Sequence, residues 1–311
     1  MAAPAAAAAP GRVEIGRGIV HMLAAVALFC AMDALIKRLV ADFSPVQVMF
    51  FRNLFAFVPI APFLLRDGGL VALRTKRLGA HLLRSFAGLA SMVCFFTSFA
   101  VMPLADAVAI SLSAPIFITA LSVPLLGEQV GPRRWAAVLV GFVGVLVMVR
   151  PGGEAMMRWV ALWPLAGAVL YALALIAIRH LGATERPATT AFYFTLVGTL
   201  GTGLAQPFVW KTPEPLDLAL LVMVGFLGGC AQMAMTQALR LAPAAVLAPF
   251  DYTALVFAIL FGYLFWLEVP DLALLAGAAI VIMSGLYIIH RETYRRAGRG
   301  GAQALARRVE E

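Results

Sequence analysis

Ten apolar segments, most of them about 20 residues long, follow one another along this chain of 311 residues. A helix of about 20 mainly apolar residues crosses about 30 Å of hydrocarbon, so nearly every segment is long enough to span a bilayer. The fifth segment is the shortest. The segments are 18–40, 46–65, 79–101, 104–126, 135–149, 160–179, 189–210, 218–239, 244–267 and 271–290. The sequence therefore predicts an all-α membrane protein with about ten transmembrane helices.

The composition also indicates that lipid is the solvent of this chain. Apolar residues make up 62% of it and charged residues 13%, whereas a typical soluble domain is about 25% charged. In a soluble protein the net charge of +8 would suggest nucleic-acid binding. Here, however, the basic residues lie in short loops and in the C-terminal tail. We therefore expect contact with a lipid bilayer and no nucleic-acid partner.

The distribution of basic residues predicts an orientation. If the chain crosses the membrane ten times, seventeen of its 24 Lys and Arg residues fall on the side of the termini and five on the other side. The remaining two, Arg52 and Arg84, lie within spans. Lys and Arg are enriched in cytoplasmic loops of membrane proteins. This bias predicts a multi-pass protein of the cell inner membrane with both termini in the cytoplasm.

Two polar segments flank the apolar region. Residues 1–17 are rich in Ala and Pro and contain no compact apolar core that ends in a separate cleavage site. They therefore indicate a disordered cytosolic tail rather than a cleaved signal peptide. Residues 291–311 contain six arginines and are interpreted as a basic cytosolic tail.

The second half of the chain repeats the first at a nearly constant offset. Pro45 matches Pro187, and the sequence LLGEQV at 125–130 matches FWLEVP at 265–270. Each half contains five predicted spans, and an odd number of crossings places the second copy in the opposite orientation. The sequence thus predicts two inverted five-helix repeats, the arrangement that many secondary transporters use for alternating access.

The stretch LADAVAISLSAPIFITALSVPLLGEQVGPRRWAAVLVGFVGVLVMVRPG resembles the signature region of EamA-type carriers of the drug/metabolite transporter superfamily. The FFRN at 50–53 and the second-half stretch ALRLAPAAVLAPF are similar to the same family. The resemblance implies a first EamA repeat at 18–150 and a second at 160–290. It also implies a central cavity lined mainly by helices one to four and six to nine, with helices five and ten at the periphery. The second half departs from the pattern at Leu267, where the first half has Gly127.

Ionisable residues within the spans are the first candidates for a site, because each costs about 2.5–3.5 kcal/mol at a helix centre on insertion scales. Asp33 and Arg52 lie at comparable depth in helices one and two. In a substrate site, Asp33 would contact a cation or a proton and Arg52 a carboxylate or phosphate. The alternative is a structural ion pair between them, or between Asp33 and Lys37 one turn further on. Arg84 is expected to extend to the cytosolic interface.

Prolines indicate helix breaks at matching places in the two halves. Pro115 lies in the middle of the fourth span, and Pro249 precedes Asp251 in the ninth. Interrupted helices at corresponding positions mark the binding sites of transporters. We therefore expect Asp251 and the adjacent Tyr252 to contact the substrate or a coupling ion.

Polar and aromatic residues on three other spans complete the candidate set. Gln232 and Thr236 lie on one face of helix eight, and Tyr171 and Tyr193 lie on helices six and seven. Such tyrosines more often pack than bind, but with neighbouring aromatic residues they would suit a flat or amphiphilic solute. The candidate substrate-binding residues are Asp33, Arg52, Tyr171, Tyr193, Gln232, Thr236, Asp251 and Tyr252.

Motifs of enzymes and pumps are absent from the sequence. There is no GxxxxGK, DDxxD or HxxxxD, and the three cysteines form no CxxC. We expect no catalytic residue, cofactor or metal. The alternative is an integral membrane enzyme such as an acyl- or prenyltransferase. The predicted function is secondary transport of a small metabolite that is amino-acid-like, S-adenosylmethionine-like or riboflavin-like, by export or import. Protons are the candidate coupling ion, and the carrier is expected to be a monomer or a homodimer.

Overall fold

A computed structural model describes residues 12–66, 69, 73, 75, 77–127, 131–149, 159–182, 187–242, 244–288 and 290. The helices described there, in chain order, are α1 (Arg12–Leu39), α2 (Pro45–Arg66), α3 (Leu78–Val101), α4 (Leu104–Ser111), α5 (Ala114–Leu126), α6 (Pro132–Val149), α7 (Leu162–Gly182), α8 (Pro187–Leu204), α9 (Gln206–Val209), α10 (Pro215–Leu241), α11 (Ala244–Asp251), α12 (Thr253–Trp266) and α13 (Leu272–Ile288).

These helices account for all ten predicted spans. Six segments are long and apolar enough to cross a membrane: Glu14–Leu39, Pro45–Arg66, Leu78–Val101, Leu104–Leu125, Pro215–Ala238 and Pro249–Trp266. Three shorter apolar helices are Trp135–Val149, Leu162–Ile178 and Leu272–Ile288. The remaining predicted span, 189–210, corresponds to α8 and α9. The prediction of an all-α protein with about ten membrane helices is confirmed.

The first helix begins earlier than the sequence predicted. α1 starts at Arg12, so residues 12–17, which were assigned to the disordered tail, are helical. Glu14 in the first turn interacts favourably with the helix dipole. Gly18 lies against Ala242, because a Cβ added at Gly18 would be 2.8 Å from the Ala242 Cβ. Residues 1–11 and the basic tail at 291–311 lie outside the described residues.

The predicted fourth and ninth spans are each broken into two helices. α4 and α5 are separated at residues 112–113, and α11 and α12 are separated at Tyr252. Pro115 in the first turn of α5 has no amide hydrogen to donate to residue 111, which explains the first break. Pro249 lies within α11, three residues before the second break. Leu112 and Tyr252 are equivalent positions under the offset that aligns LLGEQV with FWLEVP. The expected interruption at matching positions is therefore confirmed.

The two broken helices end in the same way. Gly127 after α5 has a φ of 64°, and Leu267 after α12 has a φ of 56°. Both are left-handed C-caps, and they are equivalent positions under the same offset. Glycine adopts this conformation freely, whereas a residue with a Cβ loses about 1–2 kcal/mol there. The backbone of the second half thus reproduces that of the first even where the side chain opposes it.

Four helix connections meet at one end of the molecule, which we call the Lys37 end. The Gln47 side chain donates to the Lys211 carbonyl over 2.7 Å and accepts from the Lys211 amide over 2.9 Å. The Glu268 carboxylate pairs with Lys37 and accepts from the Leu104 amide over 3.0 Å. The α1–α2, α3–α4, α9–α10 and α12–α13 connections therefore lie together.

The opposite end of the molecule, which we call the Gly18 end, joins other connections. Gly18 near the start of α1 lies against Ala242 at the end of α10. The Tyr193 hydroxyl donates to the Leu73 carbonyl over 2.8 Å, which ties the first turns of α8 to the α2–α3 connection. The two ends alternate along the chain as successive membrane crossings require.

The helices α6 and α13 pack on each other at the edge of the bundle. The Ser284 hydroxyl donates to the Ala137 carbonyl over 2.5 Å, and a Cβ at Gly144 would lie 2.9 Å from the Gly277 carbonyl oxygen. The outward face of α6 exposes Leu139, Val140, Val143 and Leu146. The interior is formed by the other helices, with α10 packed between α1 and α2 and with α3 against α7.

Candidate substrate-binding site

A small cavity lies inside the bundle between α2, α3, α8 and α10. Its lining residues are Arg52, Ala56, Ile60, Arg84, Ala191, Phe194, Thr195, Gly228, Gly229 and Gln232. The space open to the centre of a water molecule is about 10 Å³, which corresponds to roughly one water. Two of the sequence-predicted site residues, Arg52 and Gln232, belong to this lining. A metabolite fits only after the helices around the cavity move apart.

Close packing of α10 on α2 makes room for Arg52. A Cβ at Gly225 would lie 2.8 Å from the Phe51 carbonyl oxygen, so the two backbones are almost in contact. One turn on, a Cβ at Gly228 would lie 3.2 Å from the Arg52 Nε and 2.9 Å from the Met32 sulfur. Small residues commonly allow such contacts between membrane helices. The glycines of α10 therefore create the space that the Arg52 side chain occupies.

Arg84 also reaches the cavity, and it does so by stacking on an aromatic ring. Its Cζ lies 3.8 Å from the centre of the Phe194 ring, and the Cζ of Arg52 lies 5.8 Å from the same centre. A Cβ at Gly88, one turn after Arg84, would lie 2.9 Å from the ring, so the ring fits only beside a glycine. The expectation that Arg84 extends to the interface is wrong, because its guanidinium is held over this ring.

Phe194 and Arg84 were missed as site residues by the sequence analysis. Phe194 follows Arg52 at the same offset that aligns Pro45 with Pro187. Arg52 and Phe194 are therefore equivalent positions of the two halves, and they meet at the cavity. The repeat contained this signal, whereas nothing in the spacing of α3 distinguished Arg84 from an interfacial arginine.

The guanidinium groups around the cavity have few hydrogen-bond partners. Arg52 is 7% exposed and donates through Nη1 to the Asn53 Oδ1 over 3.2 Å. The buried Nε of Arg52 and the buried Nε and Nη1 of Arg84 have no hydrogen-bond partner within the part of the chain that the structure describes. Buried donors in proteins are almost always hydrogen-bonded. These three groups are exceptions that need an explanation.

Asp33 lies near Arg52 but forms no ion pair with it. The two side chains are close enough to interact electrostatically, yet among the described residues they do not form a salt bridge. Lys37, the other partner considered for Asp33, pairs with Glu268. Neither structural ion pair expected as an alternative is therefore present, and the Asp33 carboxylate stays available inside the bundle.

Tyr171 and Asp251 extend the polar surface away from the cavity. Tyr171 is 41% exposed and Asp251 is exposed, yet protein atoms surround both side chains. Tyr171 is close enough to interact electrostatically with Asp251 and with Arg84. Asp251 at the end of α11, Tyr171 and Arg84 at the cavity are thus electrostatic neighbours.

Three other candidate residues are engaged elsewhere. The Tyr193 hydroxyl donates to the Leu73 carbonyl at the Gly18 end, and the centre of its ring lies 4.7 Å from the centre of the His81 ring. Tyr252 is buried with its hydroxyl against Gly285 of α13. The Thr236 hydroxyl donates to the Gln232 carbonyl over 2.8 Å. The structure does not place these three side chains in the lining of the cavity.

Comparison with known proteins identifies this arrangement. The EamA-like transporter family matches residues 16–150 and again residues 158–290. The chain belongs to the EamA-like transporter family. Two matches in tandem agree with the repeated halves that the broken helices display. This EamA protein is a multi-pass membrane carrier, and the alternative of a membrane enzyme is wrong.

The curated relatives of this carrier transport several kinds of metabolite. It is 33% identical to a riboflavin transporter of Rhizobium johnstonii over 81% of this chain and 83% of that protein. It is 31% identical to the pseudopaline exporter CntI of Pseudomonas aeruginosa over 86% of this chain and 94% of that protein. It is 30% identical to an S-adenosylmethionine uptake transporter of Rickettsia bellii over 88% of this chain and 94% of that protein. The chain is a secondary transporter of small metabolites.

Proposed function

We propose that this carrier moves its substrate by alternating access through the cavity between α2, α3, α8 and α10. The observation that carries the proposal is that each EamA domain contributes two of these four helices. A relative movement of the two domains therefore changes the size of the cavity and its access. The cavity now has room for roughly one water, so binding and release both require such a movement.

The inverted arrangement of the domains belongs to the same proposal, with repeats at about 18–150 and 160–290. Gly127 and Leu267 are equivalent corners. The neighbour of Leu267, Glu268, binds the amide at the start of α4, whereas Gly127 follows the end of α5. The segment between them has 22 residues and would be about 33 Å long if straight. A segment of about that length would put the two corners at opposite ends of the molecule, and this supports the proposed inversion.

We place the carrier in the inner membrane with both termini in the cytoplasm. The Gly18 end would then face the cytoplasm and the Lys37 end the opposite side. The excess of basic residues on the side of the termini supports this orientation. One chain provides the whole lining of the cavity, so a single protomer suffices for transport whether the carrier is a monomer or a homodimer.

The substrate is proposed to be a polar metabolite of the kinds transported by the relatives. The described cavity presents two guanidinium groups, an aromatic ring and the Gln232 amide, and Asp33 lies nearby. Such a set suits a zwitterionic solute with a flat ring, a description that S-adenosylmethionine meets more closely than riboflavin. The relatives include an exporter and an uptake transporter, so either direction is compatible with the family.

Proton coupling is the proposed driving force. Asp33 and Asp251 are carboxylates within the membrane helices, and neither takes part in a salt bridge among the described residues. Carboxylates inside transmembrane segments commonly form proton pathways in transporters. We infer that both exchange a proton as the cavity opens, and the positions of Asp33 near Arg52 and of Asp251 near Tyr171 support this inference.

The test is counterflow in proteoliposomes with labelled S-adenosylmethionine and labelled riboflavin. Vesicles that contain the carrier and a preloaded unlabelled metabolite should accumulate the labelled one faster than protein-free vesicles. Gly88→Leu, which would place a side chain against the Phe194 ring, should abolish this accumulation without removing the protein from the membrane. Unchanged accumulation in Gly88→Leu would contradict transport through this cavity.

A further inference from the structure

Arg52 and Arg84 bring two positive charges to one aromatic ring inside the membrane region. Their Cζ atoms lie 5.8 Å and 3.8 Å from the centre of the Phe194 ring, and the two guanidinium groups interact electrostatically. They come from α2 and α3, which run from opposite ends of the bundle. Like charges repel most strongly where water is excluded, so this pair is unfavourable unless something compensates it.

The compensation is incomplete within the described chain. Arg52 makes one side-chain hydrogen bond, to Asn53, and Asp33 is a neighbour without a salt bridge. Three buried N–H groups of the two arginines have no described partner. A stacked aromatic ring attracts a guanidinium through its face but accepts no hydrogen bond in the guanidinium plane. The N–H groups in the guanidinium planes can therefore donate to another molecule.

The cavity lies where such a molecule would bind. Both arginines line the cavity. Gly228 also lines it, and because it has no side chain, no methyl group lies against the Arg52 Nε. An anionic oxygen pair matches the fork of a guanidinium and forms charge-assisted hydrogen bonds with it. No carboxylate of the described chain is among the lining residues.

We propose that Arg52 and Arg84 form an anion subsite that binds a carboxylate or phosphate group of the transported metabolite. The inference rests on the proposed function and narrows it to metabolites that carry such a group. Phe194 is a positioning residue that holds Arg84 towards the subsite. Riboflavin, which has neither group, would not use this subsite, whereas the carboxylate of S-adenosylmethionine would.

A binding experiment tests the subsite without knowledge of the substrate. The thermal unfolding midpoint of the purified carrier is measured in phosphatidylcholine nanodiscs with sodium acetate and with acetamide, which has the same shape but no charge. Ionic strength is kept constant with sodium chloride, which contains neither a carboxylate nor a phosphate. Acetate should raise the Tm by about 2–4 °C at saturation, and acetamide should leave it unchanged. Inorganic phosphate should act as acetate does.

Matched variants assign the effect to the two arginines. Arg52→Gln and Arg84→Gln should each abolish the acetate shift, and Phe194→Leu should weaken it. Arg38→Gln is the control, because Arg38 lies at the surface with its side chain 53% exposed and should keep the full shift. If one glutamine variant fails to fold, the other carries the assignment. An acetate shift that persists in a folded glutamine variant would overturn the proposal, as would equal shifts with acetate and acetamide.

A repeat in detergent without phospholipid excludes a lipid headgroup as the occupant. The acetate shift should be the same there. A shift seen only in detergent would assign the site to a lipid headgroup, and a shift seen only in nanodiscs would show that the effect comes from the bilayer. Either result would overturn the proposal.

A transport experiment distinguishes failure of this inference from failure of the proposed function. Counterflow of S-adenosylmethionine is compared with that of decarboxylated S-adenosylmethionine, which lacks only the carboxylate. Loss of one charge-assisted contact should reduce transport by at least about tenfold, both for the decarboxylated compound and for Arg84→Gln. Equal transport of both compounds by all variants would disprove the subsite and leave the carrier function intact. If the acetate shift depended on both arginines but no metabolite were transported, the subsite would be supported and the proposed function would be contradicted.

Discussion

Glu268 of the second EamA domain forms an ion pair with Lys37 of the first. Lys37 is 9% exposed and also donates to the Met102 carbonyl over 3.2 Å. The second carboxylate oxygen of Glu268 accepts the Leu104 amide at the start of α4. One acidic side chain thus satisfies a buried ammonium and an orphan helix amide and joins the two domains at the Lys37 end.

Removal of this carboxylate should destabilise the carrier strongly. Glu268→Ala leaves the Lys37 ammonium buried without its partner, which typically costs about 3–5 kcal/mol. The measurement is the Tm of the purified protein. Asp42→Asn is the control, because the Arg38–Asp42 pair is exposed at 53% and 45% and such pairs contribute little. Replacement of both partners, with Lys37→Met and Glu268→Leu, should recover part of the loss, and a double variant no better than Glu268→Ala would contradict the explanation.

The glycine beside Arg52 should be essential for transport. Gly228→Ala places a methyl group 3.2 Å from the Arg52 Nε and 2.9 Å from the Met32 sulfur. Overpacking of this kind costs about 1–3 kcal/mol, so counterflow should fall by about fivefold or more. Gly201→Ala is the matched control, since nothing lies within 4 Å of a Cβ at that position. Equal rates in the two variants would show that the space around Arg52 is not needed.

The two left-handed corners should respond in opposite directions to substitution. Leu267→Gly relieves a residue with a φ of 56° and should raise stability by about 1 kcal/mol. Gly127→Ala imposes the same conformation on a residue with a Cβ and should lower it by a similar amount, although nothing obstructs the methyl group. Thermal unfolding of both variants checks the pair. A loss of stability in Leu267→Gly would mean that the exposed leucine contributes more than its backbone strain removes.

Inversion of the domains predicts that equivalent corners lie on opposite sides of the membrane. Single cysteines at Gly127 and Leu267, in a protein whose Cys30, Cys94 and Cys230 are replaced by alanine, are labelled in intact cells with a membrane-impermeant maleimide. Leu267→Cys should react from outside the inner membrane, and Gly127→Cys only after the cells are opened. Labelling of both from the same side would rule out the inverted arrangement.

Proton coupling can be checked through Asp33 and Asp251, which form no salt bridge within the described part of the chain. In proteoliposomes, an inward-acid pH gradient should change the initial transport rate of the native carrier. This dependence should be lost in Asp33→Asn or Asp251→Asn, because an amide cannot exchange a proton. Asp42→Asn, in the α1–α2 connection, should keep it. Normal rate and pH dependence in both span variants would eliminate the two residues as proton carriers.

Much of the fold was predictable, because lipid imposes strong rules on a sequence. Span length, the odd number of spans in each half and the prolines at 115 and 249 each depend on the chain locally. They predicted the helices and the positions of both breaks. The start of α1 at Arg12 was not predicted, because hydropathy identifies the residues that cross the membrane and not the turns of helix that extend beyond them.

The side-chain assignments depend on rotation about each helix, which hydropathy does not define. Successive residues of a helix differ by about 100°, so Phe194 faces the cavity while its neighbour Tyr193 turns to the α2–α3 connection. Arg84 was given the wrong direction, since the ring that holds it belongs to the other domain. Arg52 and Gln232 were found because a buried charge and an isolated amide are rare in such helices.

Because the cavity has room for only about one water, its size affects the apparent affinity that is measured for ligands of this carrier. A ligand that binds in this cavity must bind a conformation other than the one described, so its apparent affinity is reduced to the extent that few molecules adopt that conformation. Substitutions that tighten the contact between the domains will weaken all ligands by one common factor, whatever their chemistry. Substitutions that loosen the contact will strengthen them together, and a change in ligand selectivity will identify residues that touch the ligand itself.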